Sequence, residues 1–130
     1  MVSTLLNNQN SNISHVIDAA DHHALPADIK RAVAFILDNL SETITLADIA
    51  KATRLNARPL QKGFKRSFGK SPMQVLRDVR LDTARYFLSV KRSPPSVTDA
   101  AYQAGFSHLG RFSQAYKMRF GRFPSEDVLN

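Results

Sequence analysis

The 130-residue sequence contains no cysteine, and this absence excludes several kinds of chemistry. Without a thiol the chain forms no disulfide, binds no metal through thiolates and has no cysteine nucleophile. A chain of this length can bury the core of one domain without such cross-links. The lack of cysteine also fits a reducing compartment.

Long hydrophobic runs are missing as well. Charged residues interrupt every apolar stretch before it reaches the roughly 20 residues needed to span a bilayer. The N-terminus has neither the basic start nor the small-residue cleavage site of a signal peptide. We therefore expect a cytoplasmic protein without a membrane partner.

Metal and catalytic sites have no support in the sequence. Asp21, His22 and His23 are adjacent in a segment without regular pattern, and adjacent residues there do not converge on one ion. No Ser-His-Asp set or carboxylate pair has a supported geometry. We predict no metal, no cofactor and no enzymatic activity.

Acidic residues are scarce in the centre of the chain. Residues 1–50 contain two basic and six acidic residues, a formal charge of −4, whereas residues 51–92 contain twelve basic and two acidic residues, +10. The whole chain carries +7. This distribution favours a polyanionic partner for the centre, with a solvated helical surface that happens to be basic as the alternative.

Hydrophobic periodicity divides the chain into an arm and a helical region. Residues 1–25 lack a sustained period and predict a flexible N-terminal arm. Pro26 and Asp28 favour a helix start, and an amphipathic stripe follows. The stripe consists of Ile29, Val33, Ile36, Leu37 and Leu40.

An internal repeat with a period of 51 to 52 residues is the most informative feature. The copies run from Thr45 to Pro72 and from Ser96 to Pro124. Each begins with a hydroxyl residue followed three positions later by aspartate, a helix-capping pattern. A short helix, a break and a longer helix follow, with Asn56 and Ser107 as expected caps of the longer helices. The buried positions of those helices are predicted as Leu60, Phe64 and Phe68 in the first copy and Phe112, Tyr116 and Phe120 in the second.

These copies predict two helix-turn-helix units, at 45–69 and 96–121, joined by a linker helix at 72–92. Ser71 and Gln74 are expected to cap the linker, and Ser93-Pro94-Pro95 to stop it. Its apolar side is predicted as Met73, Leu76, Val79, Ala84, Phe87 and Leu88. At about 1.5 Å per residue the linker is about 30 Å long, close to one turn of B-DNA.

The strings TLADIA, LQKGFKRSFGKSP and AYQAGFSHLGRFSQAYKMRFGRFPSE resemble the DNA-binding region of the AraC/XylS family, especially its XylS-like branch. The resemblance covers residues 26–128. It implies an all-α, seven-helix double helix-turn-helix domain, with two three-helix subdomains joined by the linker. Such a domain binds double-stranded DNA at promoters in the bacterial nucleoid, and we expect an activator that contacts RNA polymerase. Longer members carry an effector or dimerisation domain before this region, and the arm resembles the stretch that precedes it. We therefore expect a fragment of a longer regulator rather than a stand-alone short one.

The resemblance also indicates which residues face DNA bases. In the first unit Arg58, Gln61 and Lys62 share one face, and their side chains suit guanine and adenine edges. In the second unit the expected base contacts are His108, Arg111 and Gln114, whereas Leu109 and Gly110 offer no hydrogen-bonding side chain. Backbone contacts are expected from Lys65, Arg66, Lys70, Arg77, Lys117 and Arg122. Arg80 is interpreted mainly as a partner for a carboxylate such as Asp48 or Asp99.

Two other classes of function are alternatives to sequence-specific DNA binding. Some DNA-repair methyl acceptors contain AraC-like segments, but their chemistry requires the cysteine that this chain lacks. The second is a basic interaction module that binds another polyanion or a protein without reading a DNA sequence. Competition among unrelated DNA, heparin and a cognate site separates that module from a sequence-specific binder.

The charge distribution generates a first prediction. DNA affinity should fall steeply with salt, because each neutralised phosphate releases counterions and lowers the logarithm of the affinity by about 0.9 per logarithm of salt concentration. Titration of duplex DNA at several salt concentrations measures this slope. An affinity that stays flat from low to physiological salt would contradict DNA binding.

Overall fold

The computed structural model describes residues 25–89 and 96–128 of the chain. Six α-helices and a final 3₁₀ turn account for these ranges, which contain no β-strand, so the all-helical prediction is confirmed. The helices are α1 (Ala27–Asp38), α2 (Leu46–Thr53), α3 (Ala57–Phe68), α4 (Pro72–Ser89), α5 (Val97–Gln103) and α6 (Leu109–Phe120), and the turn is Pro124–Asp127. None of these helices combines the length and apolar character that a membrane crossing requires.

Some predictions concern residues outside the described ranges. They are the arm up to residue 24, the last residues of the linker helix at 90–92 and the predicted stop at Ser93-Pro94-Pro95. Leu25, which we expected in the arm, is buried in the core of the first helices. The packed region therefore begins one residue earlier than predicted, because a leucine next to α1 gains free energy by burial.

The chain forms two compact units that divide between Val79 and Arg80, inside α4. The first unit has a core built from α1, α2, α3 and the beginning of α4. Its central side chains include Ile29, Ile36, Ile49, Leu60 and Phe64, each at most 2% exposed. The predicted stripe of α1 is buried as expected, with Leu37 only partly covered.

Local capping fixes where the helices begin. Thr45 and Asp48 form a reciprocal capping box at α2, with bonds of 2.9 and 3.1 Å. The bond from the Thr45 backbone amide holds the pKa of Asp48 below its ordinary value. Ser71 and Gln74 form the same pair before α4, at 2.8 and 3.2 Å. Ser96 accepts the Asp99 amide at α5, so the predicted caps at Thr45, Ser71 and Ser96 are confirmed.

Both longer helices end on a glycine in the left-handed region. Gly69 after α3 has φ 73° and Gly121 after α6 has φ 79°. Residues with a side chain rarely adopt this backbone conformation, whereas glycine adopts it at little conformational cost and so ends the helix. The predicted helix terminators are confirmed at both positions.

Helix α4 differs from a simple spacer because it contributes to the cores of both units. Val75, Leu76 and Val79 belong to the first core, and Leu81, Ala84 and Leu88 belong to the second. The predicted apolar side was wrong at Met73, which is 38% exposed. Val75 takes the buried position in that turn, because the buried face at the start of α4 consists of Val75 and the predicted Leu76 and Val79, and Met73 lies outside it.

The second unit packs α5, α6 and the rest of α4 around Phe112 and Tyr116, both fully buried. A buried carboxylate, Asp82 of α4, accepts two hydrogen bonds from the Arg119 guanidinium of α6, at 2.8 and 2.9 Å. The bidentate geometry compensates for the desolvation of both charges. This ion pair joins α6 to α4 on the side of α6 that lies opposite the exposed face of α6.

In the first unit α3 lies directly against α1 at Gly63. A β-carbon at this position would lie 2.5 Å from Cδ1 and 3.2 Å from Cγ1 of the buried Ile29. Real β-carbons do not approach other atoms this closely, so a side chain at position 63 would displace the buried Ile29 side chain or move the two helices apart.

Gly63→Leu is expected to lower the free energy of unfolding by about 1–3 kcal/mol through overpacking, despite the better helix propensity of leucine. Ala34→Leu on the exposed side of α1 is the control and should change stability by less than about 0.5 kcal/mol. Urea unfolding followed by far-ultraviolet circular dichroism measures both. Equal stability of Gly63→Leu and the parent chain would show that the helices separate at no cost.

Candidate nucleic-acid interface

The second helix of the first unit, α3, has two opposite faces. Leu60 and Phe64 are fully buried, and Phe68 packs against the same core. The other side of the helix is polar, basic and exposed, as expected from the 3.6-residue period. Its exposed polar residues are Arg58, Gln61, Lys62, Lys65 and Arg66. The structure therefore brings the predicted base-reading residues of the first unit, Arg58, Gln61 and Lys62, onto one surface.

The second helix of the second unit, α6, repeats this arrangement with fewer polar groups. Phe112 and Tyr116 are buried, whereas Gly110, Arg111 and Gln114 are exposed. Leu109 is only partly exposed and packs against the second core. Its apolar side chain is thus used for packing, although the resemblance places this position among those that face DNA bases.

The first turn of α6 is capped by His108. The Nδ1 atom of His108 accepts the backbone N–H of Arg111 at 3.3 Å, and Ser107 precedes the cap. The expectation that Ser107 is the cap was wrong by one residue. Serine is the commoner cap, but a neutral imidazole also offers an acceptor nitrogen at the required distance.

The repeat itself contains the signal that identifies this cap. The buried pairs Leu60 and Phe112, and Phe64 and Tyr116, are each 52 positions apart, as are Gly69 and Gly121. With the same offset, His108 corresponds to Asn56 in the first copy. Asn56 is the N-cap residue of α3 but makes no side-chain capping bond. Gly110 corresponds to Arg58.

The predicted phosphate-binding residues are all exposed, but they differ in their surroundings. Lys65, Arg66 and Arg77 lie on the exposed sides of α3 and α4. Lys117 lies with its ammonium 4.9 Å from the centre of the Phe123 ring. Two of the predicted residues have acidic partners within the protein, Lys70 with Asp78 at 2.5 Å and Arg122 with Asp127.

Arg80 is partly buried, and burial lowers its pKa. Partial burial supports the structural role that we favoured for this residue over a phosphate contact.

Sequence reasoning missed Asp127, a carboxylate that holds the 3₁₀ turn against α6. Asp127 is buried and accepts hydrogen bonds from the Tyr116 hydroxyl and the Arg122 guanidinium. The Arg85 guanidinium of α4 lies 3.6 Å away. The network connects Tyr116 on the buried side of α6 to the end of the described chain, and so restrains the helix that carries Arg111 and Gln114.

Electrostatics favour the charged form of Asp127. Burial by itself would raise the pKa of this carboxyl, but the hydrogen bonds from Tyr116 and Arg122 and the nearby positive charges outweigh it and lower the pKa. Burial raises the pKa of Tyr116, and the bond to Asp127 adds to the effect, so Tyr116 stays a hydrogen-bond donor. The bond to Asp127 also raises the pKa of Arg122.

In the described ranges no three histidine, aspartate or glutamate side chains are grouped so that they could hold a metal ion. The side chains that converge on exposed faces are cationic or amide groups, which bind anions and base edges rather than metals.

Comparison with known proteins agrees with this geometry. A family model described as a helix-turn-helix domain matches residues 49–128. The chain is 38% identical over 107 residues to a probable thc operon regulatory protein of Rhodococcus erythropolis, covering 81% of this chain and 32% of that protein. It is 35% identical over 100 residues to XylDLEGF operon transcriptional activator 2 of Pseudomonas putida, covering 76% of this chain and 64% of that protein. The chain thus spans between a third and two thirds of the length of these relatives.

A solved structure is similar as well. The crystal structure of a probable AraC family transcriptional regulator from Rhodopseudomonas palustris superposes with a TM-score of 0.72 at 36% identity. The match covers 79% of this chain and 95% of that one. At this identity and coverage the similarity extends to family membership as well as to the fold.

Asp127→Asn tests the network behind α6. At pH 7 the substitution should lower the free energy of unfolding by about 1–3 kcal/mol, because Tyr116 and Arg122 lose a charged acceptor. The folded-state pKa of Asp127 is lowered, so its stabilisation is present above the unfolded value of about 3.9 and is lost as the pH falls through the folded value. The difference in the free energy of unfolding between the parent chain and Asp127→Asn should therefore stay constant from pH 7 to about pH 5. It should shrink below about pH 4.

Urea unfolding followed by tyrosine fluorescence reports on this unit, because all three tyrosines lie after Val79. Asp38→Asn removes an exposed carboxylate and should change stability by less than about 0.5 kcal/mol. A difference between Asp127→Asn and the parent chain that grew toward low pH would contradict the charged, hydrogen-bonded role of Asp127.

Proposed function

Because the chain belongs to the AraC/XylS family of transcription regulators, we propose that it binds double-stranded DNA sequence-specifically, with α3 and α6 each entering the major groove. The observation that carries this proposal is the exposed face of α3. Arg58, Gln61 and Lys62 lie together opposite a fully buried face, so packing against the core directs them to solvent. Arginine and lysine suit guanine O6 and N7, and glutamine suits adenine N6 and N7.

The second unit makes fewer base contacts in this proposal. Arg111 and Gln114 are the exposed polar side chains of α6 that suit bases, and His108 lies at its first turn. Leu109 packs inward and Gly110 has no side chain, so the second motif specifies fewer base pairs than the first.

The phosphate contacts of the proposal come mainly from Lys65, Arg66, Arg77 and Lys117, which lie on exposed helix surfaces. Lys70 and Arg122 are weaker candidates, because each already pairs with an aspartate. A phosphate must compete with that partner, which reduces the net gain on binding.

The regulatory role rests on the named relatives. The relative from Pseudomonas putida is a transcriptional activator, so we propose that this chain also serves activation at a promoter and contacts RNA polymerase there. The relatives are longer than this chain, which supports an effector or dimerisation domain elsewhere in the complete regulator. We propose action by binding rather than by catalysis, in the cytoplasm where bacterial promoters lie.

Selection of bound duplexes from a random DNA library tests the proposal and yields a preferred site. A basic module without sequence readout would bind heparin, unrelated DNA and every library member equally, and this result would contradict the proposal. Enrichment of one sequence that outcompetes heparin supports it.

Variants then assign roles to the helices through binding profiles against every single-base change in the selected site. Arg58→Ala or Gln61→Ala should relax preference at one or two positions, where each bidentate contact discriminates by about 1–3 kcal/mol. Gln114→Ala should remove less sequence information than Gln61→Ala. Greater loss from Gln114→Ala would reverse the roles given to α3 and α6.

Lys65→Ala distinguishes phosphate binding from base reading. It should lower affinity evenly over all sequences and reduce the salt slope by about one. Lys51→Ala removes the same charge from the exposed side of α2 and should change the slope less. Relaxed preference at a single base pair in Lys65→Ala would show that this lysine reads a base instead.

A further inference from the structure

The cap of α6 restricts what His108 can recognise. A backbone N–H is always a donor, so the imidazole atom that faces the Arg111 amide at 3.3 Å must be an unprotonated nitrogen. In this conformation Nδ1 is the acceptor and the ring hydrogen is on Nε2. The free edge of the ring carries a donor and no acceptor.

His108 is exposed, and its ring lies beside Gly110. A β-carbon on Gly110 would be in ordinary van der Waals contact with the ring, 3.5 Å from Cε1 and 3.7 Å from Nδ1. A long side chain at position 110 would begin in contact with the ring and extend past it. In the first unit the corresponding position carries Arg58, and the corresponding cap, Asn56, makes no side-chain capping bond.

We infer that His108 both caps α6 and reads DNA, donating from Nε2–H to the N7 atom of a purine. The inference rests on the proposed function, since it requires α6 in the major groove. Gly110 has no side chain at the position that corresponds to Arg58, so the exposed cap residue His108 supplies a reading side chain here instead. Guanine and adenine both present N7 as an acceptor, whereas the cytosine edge presents an amino donor and the thymine edge presents O4 beside a methyl group. Donation to N7 therefore requires a purine at one position of the second motif and does not distinguish guanine from adenine.

Two substitutions separate capping from reading. His108→Ser keeps a good cap but loses the reach of the imidazole, and His108→Ala loses both. The melting temperature of His108→Ser should stay within about 2 °C of the parent chain, and that of His108→Ala should fall by about 4 °C or more. A melting temperature of His108→Ala equal to that of the parent chain would show that the ring makes no cap, and would overturn the inference that the exposed ring nitrogen is a donor.

The reading function is tested with 7-deazapurines, which lack the N7 acceptor. Each purine of the selected site is replaced in turn, and affinity is measured for the parent chain and His108→Ser. At one purine the replacement should weaken the parent chain by about fivefold to tenfold, the range for one hydrogen bond, and leave His108→Ser unchanged. Asn56→Ser, at the corresponding cap of α3, is the matched control and should respond to every replacement as the parent chain does.

The outcomes distinguish this inference from the proposed function. A parent chain without sequence preference would overturn both. A parent chain with a preferred site, whose response to every 7-deazapurine equals that of His108→Ser, would overturn only the donation to N7. A phosphate contact by His108 gives this second result, because phosphates do not change when N7 is removed.

Discussion

Burial of one face of each longer helix is the constraint on which both motifs depend. Leu60 and Phe64 in α3, and Phe112 and Tyr116 in α6, are fully covered, and each such side chain contributes about 1.5–3 kcal/mol. A helix rotated about its axis would expose these side chains, so its opposite face is fixed toward solvent. The positions of Arg58, Gln61 and Lys62 are thus a consequence of packing on the far side of the same helix.

The sequence predicted the helices, the caps at Thr45, Ser71 and Ser96, and the buried aromatic stripe, because each depends on neighbours within a few positions. The exposed faces followed from the same periodicity. Met73 was wrongly included in the apolar side of α4 and Val75 was left out of it, because the exact limits of the buried face depend on the elements around the helix as well as on its own pattern. Leu109 also required the structure, since a residue at the edge of a helix face can lie on either side.

Asp127 and Asp82 illustrate a second limit of sequence reasoning. Asp82 lies among the apolar residues of α4, and its partner Arg119 is 37 positions away. No local pattern connects them, although a carboxylate within an apolar stripe is itself a sign of a buried pair. Asp127 follows the repeat and binds groups on three separate segments, so its role became visible only once those segments were folded together.

The repeated units have also diverged in their supporting interactions. In both, a glycine ends the longer helix, a basic residue follows it, and a proline begins the next helical turn. Ser71 and Phe123 then donate their amides to Gln74 and Glu126 at 2.8 and 2.7 Å. In the first unit this turn continues as α4, whereas in the second it ends after one 3₁₀ turn that Asp127 holds in place. An ion-pair network thus takes the place of a long continuing helix.

The division of the chain within α4 has a consequence for folding cooperativity. Backbone hydrogen bonds of an α-helix run from each amide to the carbonyl four residues earlier, so several of them cross the boundary between Val79 and Arg80. Local opening of either unit therefore frays the helix that supplies Val75, Leu76 and Val79 to one core and Leu81, Ala84 and Leu88 to the other. Amide hydrogens around this boundary should therefore exchange through openings of either unit, because α4 belongs to both cores.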